Sequence, residues 1–195
     1  MTTSSDLGQR GLDAAPIVYS LLDGHPASAV CESYIRSHAG WVTTSVTLLE
    51  AGAVLRKVYG VDPTLAAQKL AQFASAPILV LPVDAVLAAT ALLSAGQLGI
   101  DLADAVLLES CRTHGVSIVC TDDAKLGQIC VQLGLRPETP IPAALRQQMV
   151  AWESAHLPPK GLARLLHHIG TWLDQQDPRV ATEFWNQTGA GSHLP

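Results

Sequence analysis

The sequence predicts an α/β fold, a short parallel central sheet sandwiched between helices, followed by a helical extension. Three observations carry this expectation. The short apolar runs Ile78–Leu81 and Val116–Cys120 suit strands buried on both faces. Helix-length apolar or amphipathic segments separate them, and such alternation folds into a parallel sheet covered by helices. After Pro137 the alternation stops and only helical periodicity remains.

Taken in order, residues 1–9 are a polar tail. A short strand leads into Leu12, with Asp13 at its end. Ala14–Leu22 is an apolar helix that tolerates Pro16 in its first turn, and Gly24 and Pro26 stop it. Ala27–Ser37 is a second helix, ending near His38–Gly40. Trp41–Thr44 is short and β-branched, hence a strand, and Ser45 caps the helix TLLEAGAVLRKVYG. Asp62 and Pro63 start a helix that runs to about Ser75. Ile78–Leu81 is the next strand. Asp84 caps Ala85–Ala95, and Gly96 and Gly99 frame a turn. A helix then opens on Asp101 and Asp104, Val116–Cys120 follows as a strand, and a helix after Asp123 runs to Leu133, where Gly134 stops it. PETPIP, from Pro137, reads as a linker. Ala143–Ser154 and Lys160–Gln176 read as helices, with another helical turn through Phe184 and Trp185. Leu162, Leu165, Leu166, Ile169, Trp172 and Leu173 form a stripe at helical spacing, a packing surface against the main domain or a second copy. The division expected is a tail over 1–9, a main domain over 10–136 and a helical extension over 137–195.

Composition narrows the function classes. A chain of 195 residues, 48% of them apolar, is long enough for a real core and is not disordered. No apolar run approaches membrane-spanning length. MTTSSDLGQRG has neither the charged start nor the apolar core of a signal peptide, so a cytoplasmic location is expected. The four cysteines show no CxxC pairing and no ligand-like spacing with histidine, which argues against a zinc site or a disulfide framework. A net charge of −5 argues against nucleic-acid binding by bulk attraction, but a carboxylate cluster offset by cations is compatible with a nuclease.

The acids have two readings. Asp101 with Asp104 fits a capping box, Asp123 fits an N-cap, and Glu50 fits a solvent-facing helix position. Alternatively, Asp13, Glu50, Asp104 and Asp123 converge where strands of a parallel sheet end, the place where such sheets bind ligands. Crowded carboxylates repel one another unless cations screen them, so convergence implies bound Mg²⁺ or Mn²⁺.

LDAAPIVYSLL, TTSVTLLEAGAVL, LPVDAVLAATALL and DLADAVLLESCRTHGVSIVCTDDAKL, in that order over roughly residues 10–136, resemble the PIN-domain family and within it the VapC-type ribonuclease toxins. The resemblance implies a three-layer α/β/α PIN-like fold. It matches Asp13 to the family's first acid, Glu50 to the second, Asp104 to the third, and Asp123, two after Thr121, to the fourth. Asp101 and Asp122 are second-rank acids, and Thr121 supports the site by hydrogen bonding. Ala14 and Ala15 stand where the family often carries Thr or Ser. The resemblance also implies Mg²⁺- or Mn²⁺-dependent hydrolysis of RNA phosphodiester bonds, a cognate antitoxin protein as partner and a homodimer. Arg56, Lys57, Arg112 and Lys125 are the basic residues nearest in sequence to the acidic motifs, candidates for phosphate contact or an ordinary solvated face. The alternative is a catalytically weak PIN-like module that binds protein or RNA. A third class, a cation-dependent phosphatase or transferase, lacks its Asp-x-Asp-x-Thr motif and any Gly-rich phosphate loop here.

Overall fold

The computed structural model describes residues 9–157 and 162–188, without the side chains of 162–165. The polar segment 1–8 and the terminal GAGSHLP segment lie outside the described residues. Five strands, β1 (Arg10–Leu12), β2 (Trp41–Thr44), β3 (Ile78–Leu81), β4 (Ile118–Cys120) and β5 (Arg136–Glu138), form one sheet in the order β3-β2-β1-β4-β5. Every neighbouring pair is parallel. Helices α1 (Ala14–Leu21), α2 (Ser28–Ser37), α3 (Ser45–Lys57), α4 (Pro63–Ala74), α5 (Ala85–Leu98), α6 (Leu102–Thr113) and α7 (Ala124–Gln132) connect them, and α8 (Ala143–His156) follows.

Strand alternation divides the core in two. Leu12, Trp41, Ile78 and Cys120 pack with α1, α3 and α4 on one face. Val42, Leu81 and Val119 pack with α5, α6 and α7 on the other. β2 and β4 are buried at every residue, so both of their faces are covered. The strand order reverses at β1, so a crevice opens at the carboxyl ends of β1 and β4, in register at Leu12 and Cys120. Gly11 lets α6 approach β1 closely, because a Cβ there would lie 2.6 Å from Cys111 Sγ.

Several local expectations are revised. PETPIP supplies part of β5 and is no simple linker. A strand of sequence RPE has no apolar signature, but at the sheet edge it needs none, and an edge tolerates proline. Glu138 is secured by Arg10, by the Tyr34 hydroxyl and by Arg136 at 2.8 Å. Thr44, not Ser45, caps α3, its Oγ1 accepting from Thr47 N at 3.0 Å. Helix α5 runs through Gly96 to Leu98, and Gly99, at φ +63°, provides the left-handed C-cap.

The chain forms two compact units, 1–149 and 150–195. In the second, α9 (Leu162–Gln176) and α10 (Pro178–Thr188) pack together, with Trp185 Nε1 donating to Asp174 Oδ2 at 3.3 Å. The predicted turn through Phe184 and Trp185 is thus part of a full helix. Of the predicted stripe, Ile169 and Trp172 are exposed, and the side chains of Leu162 and Leu165 lie outside the described residues. No single helix among the described residues is long and apolar enough to cross a membrane.

Gly11→Ala is expected to destabilise the chain by about 1–3 kcal/mol through overpacking against Cys111. Cys111→Ala should recover part of that loss in the double variant, and urea unfolding of the four proteins measures the coupling.

Candidate active site

The site starts from Asp13, the residue at which β1 ends and α1 begins. Its backbone N–H donates to Cys120 O at 3.1 Å, continuing the β1–β4 pairing by one residue. That places the side chain at the mouth of the crevice, 6% exposed. Oδ1 accepts from Ala14 N at 2.6 Å as the N-cap of α1, and Oδ2 accepts from Thr121 Oγ1 at 2.7 Å. A hydroxyl therefore does order this acid, but from Thr121 on the neighbouring chain segment, not from the alanines that follow it. Thr121 Oγ1 also accepts from Asp123 N at 3.0 Å, which ties the two strand ends into one unit.

Glu50 projects from α3, Asp101 and Asp104 from the start of α6, and Asp123 from the start of α7. Together with Asp13 they line one cavity of about 170 Å³. Asp123 is an N-cap as well, Oδ1 accepting from Lys125 N at 2.6 Å and Leu126 N at 2.9 Å. Asp101 occupies the N-cap position of α6 but makes no side-chain capping bond, so the capping box read from Asp101 and Asp104 does not form. Capping is real for Asp13 and Asp123, and it aims both at the cavity. Val18, Tyr19, Val54 and Tyr59 form its apolar wall, and none of them was legible as a site residue in the sequence.

Burial, opposed by the hydrogen bonds from Thr121 and Ala14 and reinforced by the charges of Asp123 and Asp122, holds the Asp13 carboxyl above the usual range. Burial and then the charges of Asp13 and Asp101 push Glu50 up to about 7. Burial, followed by Asp13, Glu50, Asp123 and Asp101, pushes Asp104 up to about 7. These acids are too close and too dry to ionise together at neutral pH without a counter-charge.

The donor set fits a hard divalent cation, being all carboxylate oxygen with no His or Cys in the cavity lining. Among the described residues no three donors gather tightly enough to complete a metal site by themselves. Mg²⁺ is compatible with that, since it commonly keeps several waters and takes only one or two carboxylates.

Other sequence candidates lie elsewhere or at the rim. Asp122 is bound by Arg146 and Thr139 and is absent from the cavity lining. Arg112 sits in the last turn of α6, roughly 12 Å along the axis from Asp104, and pairs with the buried Glu109 at 3.1 Å. Glu109 also accepts from Ser94 Oγ at 2.6 Å, so it pins α5 to α6. Lys57 follows Glu50 by two helical turns and shares its face, whereas Arg56 is turned about 120° away; both are exposed. Lys125 Nζ donates to Gly99 O, next to the α6 start. A larger groove of about 460 Å³ lies between α1, α2 and α4. It holds the Asp23–Lys69 pair at 2.9 Å and no converging acids, so volume alone does not identify the site.

A profile of the PIN domain matches residues 12–132, a span that contains all five cavity acids. No curated protein matches the chain. Among solved structures, VapC20 of Mycobacterium tuberculosis, described as a sarcin–ricin loop cleaving toxin, is similar at a TM-score of 0.54 and 17% identity, over 62% of this chain and 95% of its own. A protein of Pyrobaculum aerophilum is similar at a TM-score of 0.50 and 19% identity, over 76% and 97%. At these identities the likeness is one of fold.

The raised carboxyls give a signed pH dependence. Below about pH 4, Asp104 is protonated in folded and unfolded chains alike and costs nothing. As pH rises from there through about 7, only the folded chain resists ionisation, and stability falls. In chelator-treated protein, Asp104→Asn should therefore be more stable than wild type at pH 8, by about 1–2 kcal/mol after solvent screening. For a chain of this size that is roughly 2–8 °C in Tm. The gain should vanish near pH 4, and scanning calorimetry at the two pH values reads the difference.

Proposed function

This chain belongs to the PIN-domain family, and we propose that it is a divalent-metal-dependent endoribonuclease, the toxin of a VapBC-type toxin–antitoxin pair. The observation that carries the reading is the convergence of five carboxylates from four separate segments on one cavity where β1 and β4 end. Asp13, Glu50, Asp104 and Asp123 are the residues proposed to hold Mg²⁺ or Mn²⁺, with Asp101 at the same rim. Bound there, the cation would neutralise the cluster and supply an activated water for in-line attack on phosphorus. Thr121 keeps Asp13 oriented for this task. One cavity carboxylate takes the proton that the attacking water releases. The apolar wall limits how much bulk water surrounds the acids, which strengthens every charge interaction inside.

RNA is the substrate this reading favours. A net charge of −5 provides no long-range attraction for it, so affinity must come from local contacts, for which Lys57, on the Glu50 face of α3, and Lys125, against Gly99, are the candidates. The loop that VapC20 is described as cleaving is a natural first substrate to test. The reading also carries an antitoxin partner and a second copy of this chain. For the latter, Val86, Ala89 and Leu93 form one exposed stripe along α5, with Val86 75% and Leu93 69% exposed.

A weakly catalytic PIN-like module that binds protein or RNA is the second reading. It is favoured by the absence, among the described residues, of three donors at metal-holding spacing. Two measurements separate the readings. Wild type should bind Mn²⁺ in calorimetry and cleave RNA, and Asp13→Asn or Asp104→Asn should lower both by at least about 10–100-fold. A wild type that binds no divalent metal but captures a protein partner would support the module instead. Separately, Leu93→Glu should convert a dimer to a monomer in light scattering without reducing Mn²⁺ affinity.

A further inference from the structure

Asp122 is the acid that the structure turns away from the cavity, and what holds it away lies outside the matched segment 12–132. Arg146, on α8, grips both carboxylate oxygens, Nη2 to Oδ1 at 2.6 Å and Nη1 to Oδ2 at 3.2 Å. Thr139, just after β5, donates Oγ1 to Oδ1 at 3.1 Å and accepts from Ile141 N at 3.2 Å. The Asp122 side chain is only 9% exposed and the Arg146 side chain 46%. A carboxylate so far out of water stays put only while paired. Its chain neighbours are Thr121, whose hydroxyl holds Asp13, and Asp123, which walls the cavity. Without Arg146, Asp122 would keep only the Thr139 hydroxyl, and a carboxylate left without its counter-charge is drawn toward water or a cation, pulling on Thr121 and Asp123.

We propose that Arg146 is a positioning residue for the acidic cavity: by clamping Asp122 it fixes the Thr121–Asp123 turn, so that the site depends on α8 as well as on the PIN segment. The cavity as a cation site is the reading argued above, and the clamp rests on it. Arg146 touches neither cation nor substrate in this scheme. It acts through the backbone of three consecutive residues.

The test uses the full chain with Arg146→Gln, Arg146→Lys, Asp122→Asn and the double variant Asp122→Asn/Arg146→Gln. Three readouts are taken: Mn²⁺ affinity by calorimetry, hydrogen exchange across residues 121–126, and RNA cleavage. Arg146→Gln is expected to weaken Mn²⁺ binding about 10-fold, as loss of a partner behind a metal ligand does. It should speed exchange at 121–126, with protection in β1 and β2 retained. Arg146→Lys should recover part of both effects, and the double variant should be no worse than Asp122→Asn alone. Unchanged affinity and exchange in Arg146→Gln would overturn the proposal. So would a rise in Mn²⁺ affinity, which would make Arg146 only a repelling charge, or loss of protection throughout the sheet in both Arg146 variants, which would make it only a stabilising one. If wild type cleaves no RNA, the nuclease reading falls, while exchange at 121–126 still decides the clamp.

Discussion

Asp13 carries a carboxylate out of water at the end of a strand that is flanked on both sides by other strands, and the surrounding structure is arranged to accommodate it. A lone buried carboxylate is expensive unless hydrogen bonds replace its hydration. Here the replacements come from Ala14 N and Thr121 Oγ1, and the second exists only because β1 and β4 are paired in the register Leu12–Cys120. Slipping that register by one residue would exchange the faces of β4, sending Val119 and Cys120 to the wrong cores. Core packing and site geometry are therefore secured by the same alignment.

Helix starts add a second layer. Helices α1, α6 and α7 begin at Asp13, Asp101 and Asp123, so three helix N-termini border one acidic cavity. Their partial positive ends favour the carboxylates and offset some of the burial and repulsion that raise Glu50 and Asp104 to about 7. Capping a helix and lining the cavity thus coexist. In Asp123 both capping bonds fall on Oδ1, and among the described residues Oδ2 has no hydrogen bond. Asp101, free of a capping bond, is the more surprising member, since its sequence context reads most simply as a cap.

Legibility in the sequence followed burial. The strands β3 and β4 announced themselves because their residues are apolar throughout, and β2 because Trp41–Thr44 is aromatic and β-branched. β5 stayed hidden because an edge strand answers to its neighbour's backbone and to the Glu138 contacts with Arg10, Tyr34 and Arg136, none of which leaves a local pattern. Asp101 and Asp122 looked equivalent as second-rank acids. Their separation, one into the cavity and one onto Arg146, depends on a residue 24 positions later in a stretch that reads as extension. Arg112 looked like a neighbour of Asp104 in sequence, but it stands at the far end of the same helix, held by Glu109.

By itself, the sequence determined the alternation of strands and helices, the placing of Asp13 and Asp123 at strand ends, and the order of acids along the chain. Those properties are local, set by apolar periodicity and by the residues that start helices. Tertiary structure decided which acids share a cavity, how far burial lifts their protonation, that Thr121 supplies the hydroxyl missing after Asp13, and that Arg146 holds Asp122 aside. Each of these depends on distances between segments far apart in the chain, and on the water that packing removes from between them.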